Sequence, residues 1–586
     1  MKRYKVTLKL RGPVLTRDTA LGAFGIDTPI ARMPDDTPFL PGSHVWGKVR
    51  DALVNLKTAC EKAKSPVADQ WNLPRWCGGL RGSEGDKTDG DGGDEVAGNK
   101  RRLIHFHDFI LVNESNRKNA PQRTRIAIDP GTGAALDAAL QVLETPWDAG
   151  EEAIFTGAFT LVMDDNEAQI ASAAVQKALN WVFQFGGLRT IGFGRTLHVT
   201  CVEDGDLFRS HSSFAEAGPQ QIKITLAFDE PFLIAAKRET QNTYVSSDII
   251  PGGVVKGALV SLLKASGQSL PGYFNNLLVT HLFPVADEED RPVAIPHSFV
   301  SAGDAIMDAA LLSANDPPVY DSDACAFRPD WKGEAWGKAR QKVNWPETKT
   351  ILRLRTAIDR DQRAAETNKL FGYEMRCTDQ HKWTGEIRLD DIPQNKRESV
   401  AKALRHALAN GLPGIGRTQA FAHVTLSDAT AQAEPAIRDN CYILVLQTPA
   451  LIRDPGEDYE HAFAKLSDGA LTCDRWFVRE RLAGASFIAA RFFKGREYRP
   501  FLLSEAGCTF VLEPADGKEA EAEALIRCWS RRGIPVGDHL TDVYGFDSLD
   551  DDELWKQCPY IPQNGYGEIR VNQALHWNLR IPGGGS

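Results

Sequence analysis

The chain has 586 residues, of which 42% are hydrophobic and 25% charged; these proportions are typical of globular proteins, and the length predicts roughly two to four domains. The net charge of −10 disfavours a simple nucleic-acid-binding protein, although an acidic chain can carry a local basic groove. No apolar run is long enough to predict a membrane span, and ten cysteines without a Cys-x-x-Cys pair predict a reducing, cytoplasmic location.

Alternating apolar residues predict that the chain opens with a strand at residues 4–10. A Pro-Gly-Ser turn then precedes a predicted helix, and Ser43 is expected to be its N-cap residue. A later helix is predicted at residues 170–185, followed by a glycine-rich loop and a closing strand at residues 196–202. This order of elements predicts an α+β sandwich with helices on one face of a sheet.

Three short landmarks occur twice, in the same order along the chain. They are a Pro-Gly turn at residues 41–48 and 251–257, Arg-x-Ala-Ile-Asp at residues 125–129 and 355–359, and Gly-x-Gly-Arg-Thr at residues 192–196 and 414–418. A weaker glycine loop returns at residues 565–571. Repeats in register indicate duplicated modules, and the predicted division is residues 1–205, 219–428 and 438–580, with the Gly-Gly-Gly-Ser tail at residues 581–586 left out.

The repeated Gly-x-Gly-Arg loop has two interpretations. Glycine lets a backbone approach a ligand closely, so that Arg195 or Arg417 beside it could hold a phosphate. A tight turn that ends a helix has the same composition, and the loop alone does not decide between the two. A dinucleotide-binding interpretation fails because no strand immediately precedes the glycines and a third glycine is missing.

The stretch Gly25-Ile26-Asp27-Thr28-Pro29-Ile30, followed by Leu40-Pro41-Gly42-Ser43 and by Gly47-Lys48-x-Arg50, resembles the RAMP backbone subunits of type III CRISPR effector complexes. So do residues 102–108, residues 128–135 and the Gly-Phe-Gly-Arg loop. The resemblance runs in order through residues 4–202. The second module keeps the three landmarks, whereas the third keeps only the glycine loop and could equally be the related end-capping subunit.

This resemblance implies tandem ferredoxin-like, RRM-like (RAMP) modules that carry thumb loops, fused as in the type III-D branch. It also implies a guide-RNA-binding backbone subunit whose partners are CRISPR guide RNA, target RNA and other subunits of the complex, with no membrane. In this family a loop aspartate supports cleavage of the target strand. The alternative function is a non-catalytic RNA-binding scaffold subunit; a guide-processing endonuclease is disfavoured because neither early loop carries a histidine.

Asp27 matches the family's catalytic aspartate. Its carboxylate could position Mg²⁺ or a similar divalent cation, or accept the proton of the RNA 2′-hydroxyl. Without the resemblance, a turn aspartate in a flexible loop is the simpler interpretation. Asp18, Asp35 and Asp36 in the same loop are expected to be solvated turn residues.

Eleven residues are expected to contact RNA, on account of the resemblance and of their positive or polar side chains. They are Arg17, Arg32, Ser43, Lys48, Arg50, Arg102, Arg195, Lys237, Arg238, Lys256 and Arg417. Counting back from the second Pro-Gly turn by the spacing of Asp27 reaches Lys237, which is not acidic. The second module is therefore expected to bind RNA without cutting it.

Two further features of the sequence are weak evidence for metal binding. The Asp- and Gly-rich insert at residues 78–99 lacks the ligand spacing of a calcium loop and is expected to be disordered. His105 and His107 alternate along a predicted strand near Cys77, which makes zinc conceivable. Two ordered surface histidines are the simpler expectation.

Overall fold

The computed structural model describes residues 1–17, 25–78, 101–112, 122–204, 212–213, 221–240, 242–267, 271–286, 290–302, 305–312, 334–358, 365–378, 381–429, 434–484, 486–493 and 497–580. Within these ranges no helix has the length and apolar character needed to cross a bilayer. Asp18, Asp359, the tail and, apart from Gly78, the insert expected to be disordered lie outside them. We name the three modules by the division expected above.

The first module is an antiparallel sheet with two long helices. Its strands are β1 (Lys2–Arg11), β2 (Phe39–Leu40), β3 (Ile104–Phe106), β4 (Phe109–Leu111), β5 (Gln122–Arg125), β6 (Gln141–Glu144), β7 (Glu152–Leu161) and β8 (Arg195–Glu203). Its helices are α1 (Gly42–Lys62), α2 (Leu73–Cys77) and α3 (Asp165–Trp181). The strand order of the main sheet is β2-β4-β7-β1-β8, and β5 and β6 form a separate hairpin, which we call the thumb of this module.

The second module repeats this plan with a larger thumb. Its strands, with one in the connector, are β9 (Ser212–Ser213), β10 (Gln221–Phe228), β11 (Ala235–Thr240), β12 (Thr243–Ser246), β13 (Leu278–Val279), β14 (Phe283–Val285), β15 (Phe299–Ala302), β16 (Ala305–Asp308), β17 (Thr350–Ile358), β18 (Ala365–Arg376), β19 (Lys382–Arg388), β20 (Leu412–Ile415) and β21 (Ala420–Asp428). Its helices are α4 (Gly252–Ala265), α5 (Glu334–Lys342) and α6 (Gln394–Leu408). The main sheet has the order β13-β19-β10-β21-β20, and the thumb sheet has the order β11-β12-β18-β17.

The third module is smaller. Its strands are β22 (Tyr442–Leu446), β23 (Leu471–Phe477), β24 (Glu480–Ala483), β25 (Phe501–Ser504), β26 (Thr509–Pro514) and β27 (Ile569–Val571). Its helices are α7 (Tyr459–Leu466), α8 (Ser486–Phe492), α9 (Glu519–Arg532), α10 (Thr541–Tyr544), α11 (Asp551–Leu554) and α12 (Ala574–Asn578). The main sheet has the order β23-β26-β22-β27, and β24 pairs with β25.

All three main sheets share one topology. The strand that opens each module (β1, β10 or β22) lies in the sheet between β7 and β8, between β19 and β21, or between β26 and β27. Beyond β7, β19 or β26 lies an earlier strand of the same module, β4, β13 or β23, and all these neighbours are antiparallel. One helix follows the opening strand, and another follows β7, β19 or β26. This arrangement is the ferredoxin-like βαββαβ fold, so the predicted α+β class with ferredoxin-like modules and thumbs is confirmed.

Strand alternation accounts for the cores. In β1, Val6, Leu8 and Leu10 are completely buried against the helices, as the period-2 pattern predicts. The helix predicted at residues 170–185 begins earlier, at Asp165, because Asp164 caps it by accepting a hydrogen bond from the N–H of Glu167 at 2.9 Å.

The predicted N-cap of α1 is wrong. The helix begins at Gly42, with Pro41 as the N-cap residue, so Ser43 lies within the first turn and is exposed. The capping acceptor comes instead from another segment: the N–H of Gly42 donates to Oδ1 of Asp108 at 2.8 Å. A carboxylate at a helix N-terminus satisfies a free N–H and interacts favourably with the helix dipole.

Candidate nucleic-acid interface

The three glycine loops have closely similar φ angles at both of their glycines. The first glycine of each, Gly192, Gly414 and Gly565, has φ of 89°, 87° and 87°. The second, Gly194, Gly416 and Gly567, has φ of 66°, 65° and 74°. These values lie in the left-handed region, which glycine adopts without steric cost. The glycine loop at residues 565–571, whose sequence matches the other two only weakly, therefore repeats them in structure.

Close packing inside the protein explains the second glycine of each loop. A Cβ atom on Gly194 would lie 1.8 Å from the carbonyl oxygen of Phe185, and one on Gly416 would lie 2.3 Å from that of Leu233. These approaches leave no room for a side chain. The turn interpretation thus accounts for the glycines themselves, and a role in RNA contact falls to the arginines that follow them.

Those two arginines have different surroundings. Arg195 is exposed at the start of β8. The guanidinium of Arg417 lies 4.0 Å from the ring centroid of Tyr244, and its Nε donates to the hydroxyl of Tyr373 at 3.4 Å. Both tyrosines belong to the thumb sheet of the second module, so Arg417 joins the glycine loop to the thumb.

Asp27 is exposed in a loop that pairs with the first thumb hairpin. Its N–H donates to the carbonyl of Val142 at 3.0 Å, and its Oδ2 accepts from the N–H of Val142 at 2.7 Å. Thr28 forms a parallel bridge with Leu143 of β6. These contacts fix the carboxylate against the base of the thumb while leaving it open to solvent.

Arg32 and Arg17, from the same loop, are placed differently. Arg32 forms an ion pair with Glu144 and donates to the carbonyl of Asp36 at 2.8 Å, so its charge is already partly neutralised. Arg17 is exposed and bridges Ile30 across the loop. Of the two, Arg17 is the more available to an RNA phosphate.

In the corresponding part of the second module, the described segment that runs along the thumb, Thr243–Val245, contains no acidic residue. There, β12 runs parallel to β18, with Thr243, Tyr244 and Val245 opposite residues 372–374. This is the relationship that Thr28 has with β6. Counting residues had matched Asp27 to Lys237, but Lys237 and Arg238 lie on β11, one strand further out, because the β11–β12 hairpin lengthens the loop.

The helix starts of the two modules are built alike. A Cβ on Gly42 would lie 2.5 Å from the carbonyl oxygen of His107, and one on Gly252 would lie 1.8 Å from that of Val279. The N–H of Gly252 donates to Nδ1 of His281 at 3.3 Å, where Gly42 uses Asp108. The Pro-Gly landmark is therefore a packing requirement as well as a helix start.

The helix lysines and arginine expected to bind RNA lie just beyond these starts. Lys48 and Arg50 are half-buried on α1. Lys256 on α4 is buried, and its Nζ donates to the carbonyl of Leu277 at 2.9 Å and to that of Asn275 at 3.3 Å. An RNA phosphate would have to replace these contacts to reach Lys256.

Arg102 lies where the first and second modules meet. Burial, together with the nearby Arg355 and Arg50, lowers its pKa to about 10. His105 and His107, expected on the surface, are instead 5% and 8% exposed. His107 Nε2 lies 3.0 Å from the hydroxyl of Thr160. Within the described ranges no group of three or more His, Cys, Asp or Glu side chains could hold a metal ion.

Sequence reasoning missed the residues that join the modules. Glu230 accepts from the N–H of Asp108, and its Oε1 lies 3.3 Å from Nδ1 of His107. Arg353, on the thumb strand β17, lies 2.9 Å from Oδ2 of Asp108. Arg355 begins the second copy of the Arg-x-Ala-Ile-Asp landmark. That repeat was the one sequence feature that could have pointed to strand β17.

Residues 7–197 match the family model of the RAMP superfamily. Two solved structures are similar at low scores. A chain from a cryo-EM structure of "Type III-B Cmr-beta bound to cognate target RNA and AMPPnP, state 1" is 12% identical, with 50% of this chain and 86% of that chain covered and a TM-score of 0.30. One from "Type III-B Cmr-beta bound to cognate target RNA" is 11% identical, with 35% and 97% covered and a TM-score of 0.25. A comparison with curated proteins finds no match.

Proposed function

We propose, since residues 7–197 match the family model of the RAMP superfamily, that the chain is a guide-RNA-binding backbone subunit of a type III CRISPR effector complex, and that it cleaves guide-paired target RNA. The observation that carries the proposal is the RAMP match together with the matching positive φ angles at both glycines of the loop in all three modules. Several ferredoxin-like modules in one chain, each with a repeated loop, suit a ligand that is itself a linear polymer. We further propose that the fusion resembles the type III-D branch and that the complex acts in the cytoplasm.

Charge distribution supports RNA contact despite the acidic balance of the chain. Arg17 and Arg195 are exposed at the loops of the first module, and Arg417 lies over Tyr244 in the second. Cationic side chains beside aromatic rings suit single-stranded nucleic acid, because phosphates pair with the cations and bases stack on the rings.

Asp27 is the proposed catalytic residue. RNA carries its own nucleophile, the 2′-hydroxyl, but helical geometry holds it out of line with the scissile phosphorus. A nucleotide displaced from the stack can rotate toward in-line attack, at a cost of about a few kcal/mol. An exposed carboxylate held at the base of the thumb by Val142 is suited to accept the hydroxyl proton or to orient a hydrated cation there.

The surroundings of Asp27 fit a hydrated Mg²⁺ held mainly by RNA oxygens. Magnesium prefers oxygen ligands and keeps several of its waters, so one carboxylate is sufficient. The donor set does not fit a cation enclosed by protein: the neighbouring Asp36 forms an ion pair with Arg32, and Asp35 accepts from the N–H of Thr37 at 3.0 Å. When bound, the cation would neutralise charge on the scissile phosphate.

The second candidate function is a scaffold that binds RNA without cutting it. It is favoured if Asp27 serves only to close its loop, since Oδ2 already accepts from Val142. Asp27→Asn separates the two functions, because an amide oxygen can still accept that hydrogen bond whereas the charge is lost. Cleavage of guide-paired RNA should disappear with binding retained within a few-fold, and Asp35→Asn should cut as the parent does. Unchanged product ends with Asp27→Asn would establish the scaffold function instead.

A further inference from the structure

Three guanidinium groups meet two carboxylates at the junction of the first and second modules. The guanidinium groups belong to Arg102, which lies just before β3, and to Arg353 and Arg355 on the thumb strand β17. The carboxylates are those of Asp108 and Glu230, and Arg353 lies 2.9 Å from Asp108. Positive charge therefore exceeds negative charge at this junction.

The two carboxylates are already engaged. Oδ1 of Asp108 accepts from the N–H of Gly42, and Glu230 accepts from the N–H of Asp108 and contacts His107. Three guanidinium nitrogens in the same place are buried and have no hydrogen-bond acceptor among the described residues. They are Nε of Arg102, and Nε and NH2 of Arg353.

Buried donors without acceptors destabilise the protein unless a ligand satisfies them. Burial lowers the pKa of Arg355, and so does the neighbouring Arg353. The arginines thus disfavour each other's charge in the free protein. An anion bound among them would remove both penalties, and the planar guanidinium fork matches the oxygens of a phosphate.

Aromatic rings extend this cluster toward the glycine loop of the second module. The guanidinium of Arg355 lies 5.0 Å from the ring centroid of Tyr373, and the rings of Tyr373 and Tyr244 are 5.9 Å apart, edge to face. Arg417 covers Tyr244 at 4.0 Å. At the other end, Arg353 lies 4.7 Å from the ring of Phe39. Alternating cations and rings suit a nucleotide strand better than a small free anion.

We propose that Arg102, Arg353 and Arg355 form a composite phosphate site that binds one backbone phosphate of single-stranded RNA. Neither module has the site alone, because Arg102 comes from the first module and the other two arginines come from the thumb of the second. The site rests on the proposed function and deepens it by locating one phosphate at the docked thumb.

The test measures RNA affinity and protein stability in the same full-length variants. Arg102→Gln and Arg355→Gln should each weaken binding of a short single-stranded RNA about 5- to 10-fold at low salt. Each should also reduce the slope of log affinity against log salt concentration by about 0.7, the value for one phosphate contact on a single strand. The double variant should lose little more than either single one, because both arginines contact the same phosphate. Lys402→Gln, which removes an exposed charge on α6, is the matched control and should bind as the parent does.

Stability distinguishes a ligand site from a structural cluster. The free Arg102→Gln protein should unfold at the same temperature as the parent or a higher one, because a buried charge among like charges has been removed. Lower stability with unchanged RNA affinity would overturn the proposal, and so would an unchanged salt slope in both variants. Inorganic phosphate that displaces the RNA at micromolar concentration would also overturn it, in favour of a small-anion site. If the parent itself binds no RNA, the proposed function is wrong. If the parent binds RNA and both variants bind it with the same affinity and salt slope, only the junction site is wrong.

Discussion

Asp108 of the first module contacts Arg353 of the second at 2.9 Å while its other carboxylate oxygen caps α1 through Gly42. The side chains of the pair are 6% and 13% exposed, so both charges are largely removed from water. One residue thus stabilises a helix start in its own module and the docked thumb of the next.

Replacement of Asp108 should therefore be costly. Asp108→Ala leaves Arg353 as an unpaired buried charge and should lower the free energy of unfolding by about 3 kcal/mol. Asp108→Asn should be less destabilising by about 1 kcal/mol, because its amide oxygen can still cap α1. Denaturant titration measures both, with the exposed Asp35→Asn as control. Equal losses for the two variants would show that the cap contributes nothing.

Lowering the pH should weaken the contact between the third module and the second, which Glu568 makes with Arg291 and Arg388. Burial alone would raise the pKa of Glu568, but Arg291 and Arg388 outweigh it and hold the pKa at about 2, below the ordinary 4.5. A depressed carboxyl pKa contributes stability that is complete above pH 4.5 and is lost as the pH falls toward 2. At 1.36 kcal/mol per pKa unit the contribution is about 3 kcal/mol.

Unfolding midpoints between pH 5 and pH 2.5 should therefore fall more steeply for the parent than for Glu568→Gln. Arg291 contacts the carboxylate through both NH1 and NH2, at 2.6 and 2.8 Å, so the glutamine variant should also be less stable at neutral pH. Glu460→Gln, an exposed position on α7, should keep the parent's pH profile. Identical profiles for parent and Glu568→Gln would contradict this assignment.

The two glycines of one loop should differ in their tolerance of alanine. Gly192 has open space where a Cβ would lie, so Gly192→Ala should cost only the backbone strain of a positive φ, about 1 kcal/mol. Gly194→Ala adds an overlap at 1.8 Å with the carbonyl of Phe185 and should destabilise by several kcal/mol. Thermal unfolding of the two variants compares them directly, and similar shifts would mean that the loop moves freely to make room.

The sequence could predict the elements whose signal is local. Alternation predicted β1, the repeated landmarks predicted equivalent modules, and the order of elements predicted an α+β sandwich, whereas the ferredoxin-like class was implied by the resemblance to RAMP subunits. Contacts between distant segments were not predictable in this way. The cap of α1 comes from Asp108, 66 residues away, so the local preference of Ser43 for a cap position was overridden.

The site shows the same limit. Residue counting matched Asp27 to Lys237 because it assumed loops of equal length, and the β11–β12 hairpin breaks that assumption. His105 and His107 alternate with apolar residues, but a module interface and the sheet bury both. The arginine cluster was invisible because its members come from two segments about 250 residues apart, as Arg102 and Arg355 show.

Asp108 and His281 occupy the same place in successive modules, since each accepts the N–H of the glycine that begins the following helix. Burial lowers the pKa of His281 to about 3, so this side chain is neutral and cannot form an ion pair with an arginine. The modules are therefore not interchangeable building blocks. A chimera that places the second module ahead of another copy of itself would set Arg353 against a neutral histidine and would lose the ion pair that Asp108 makes.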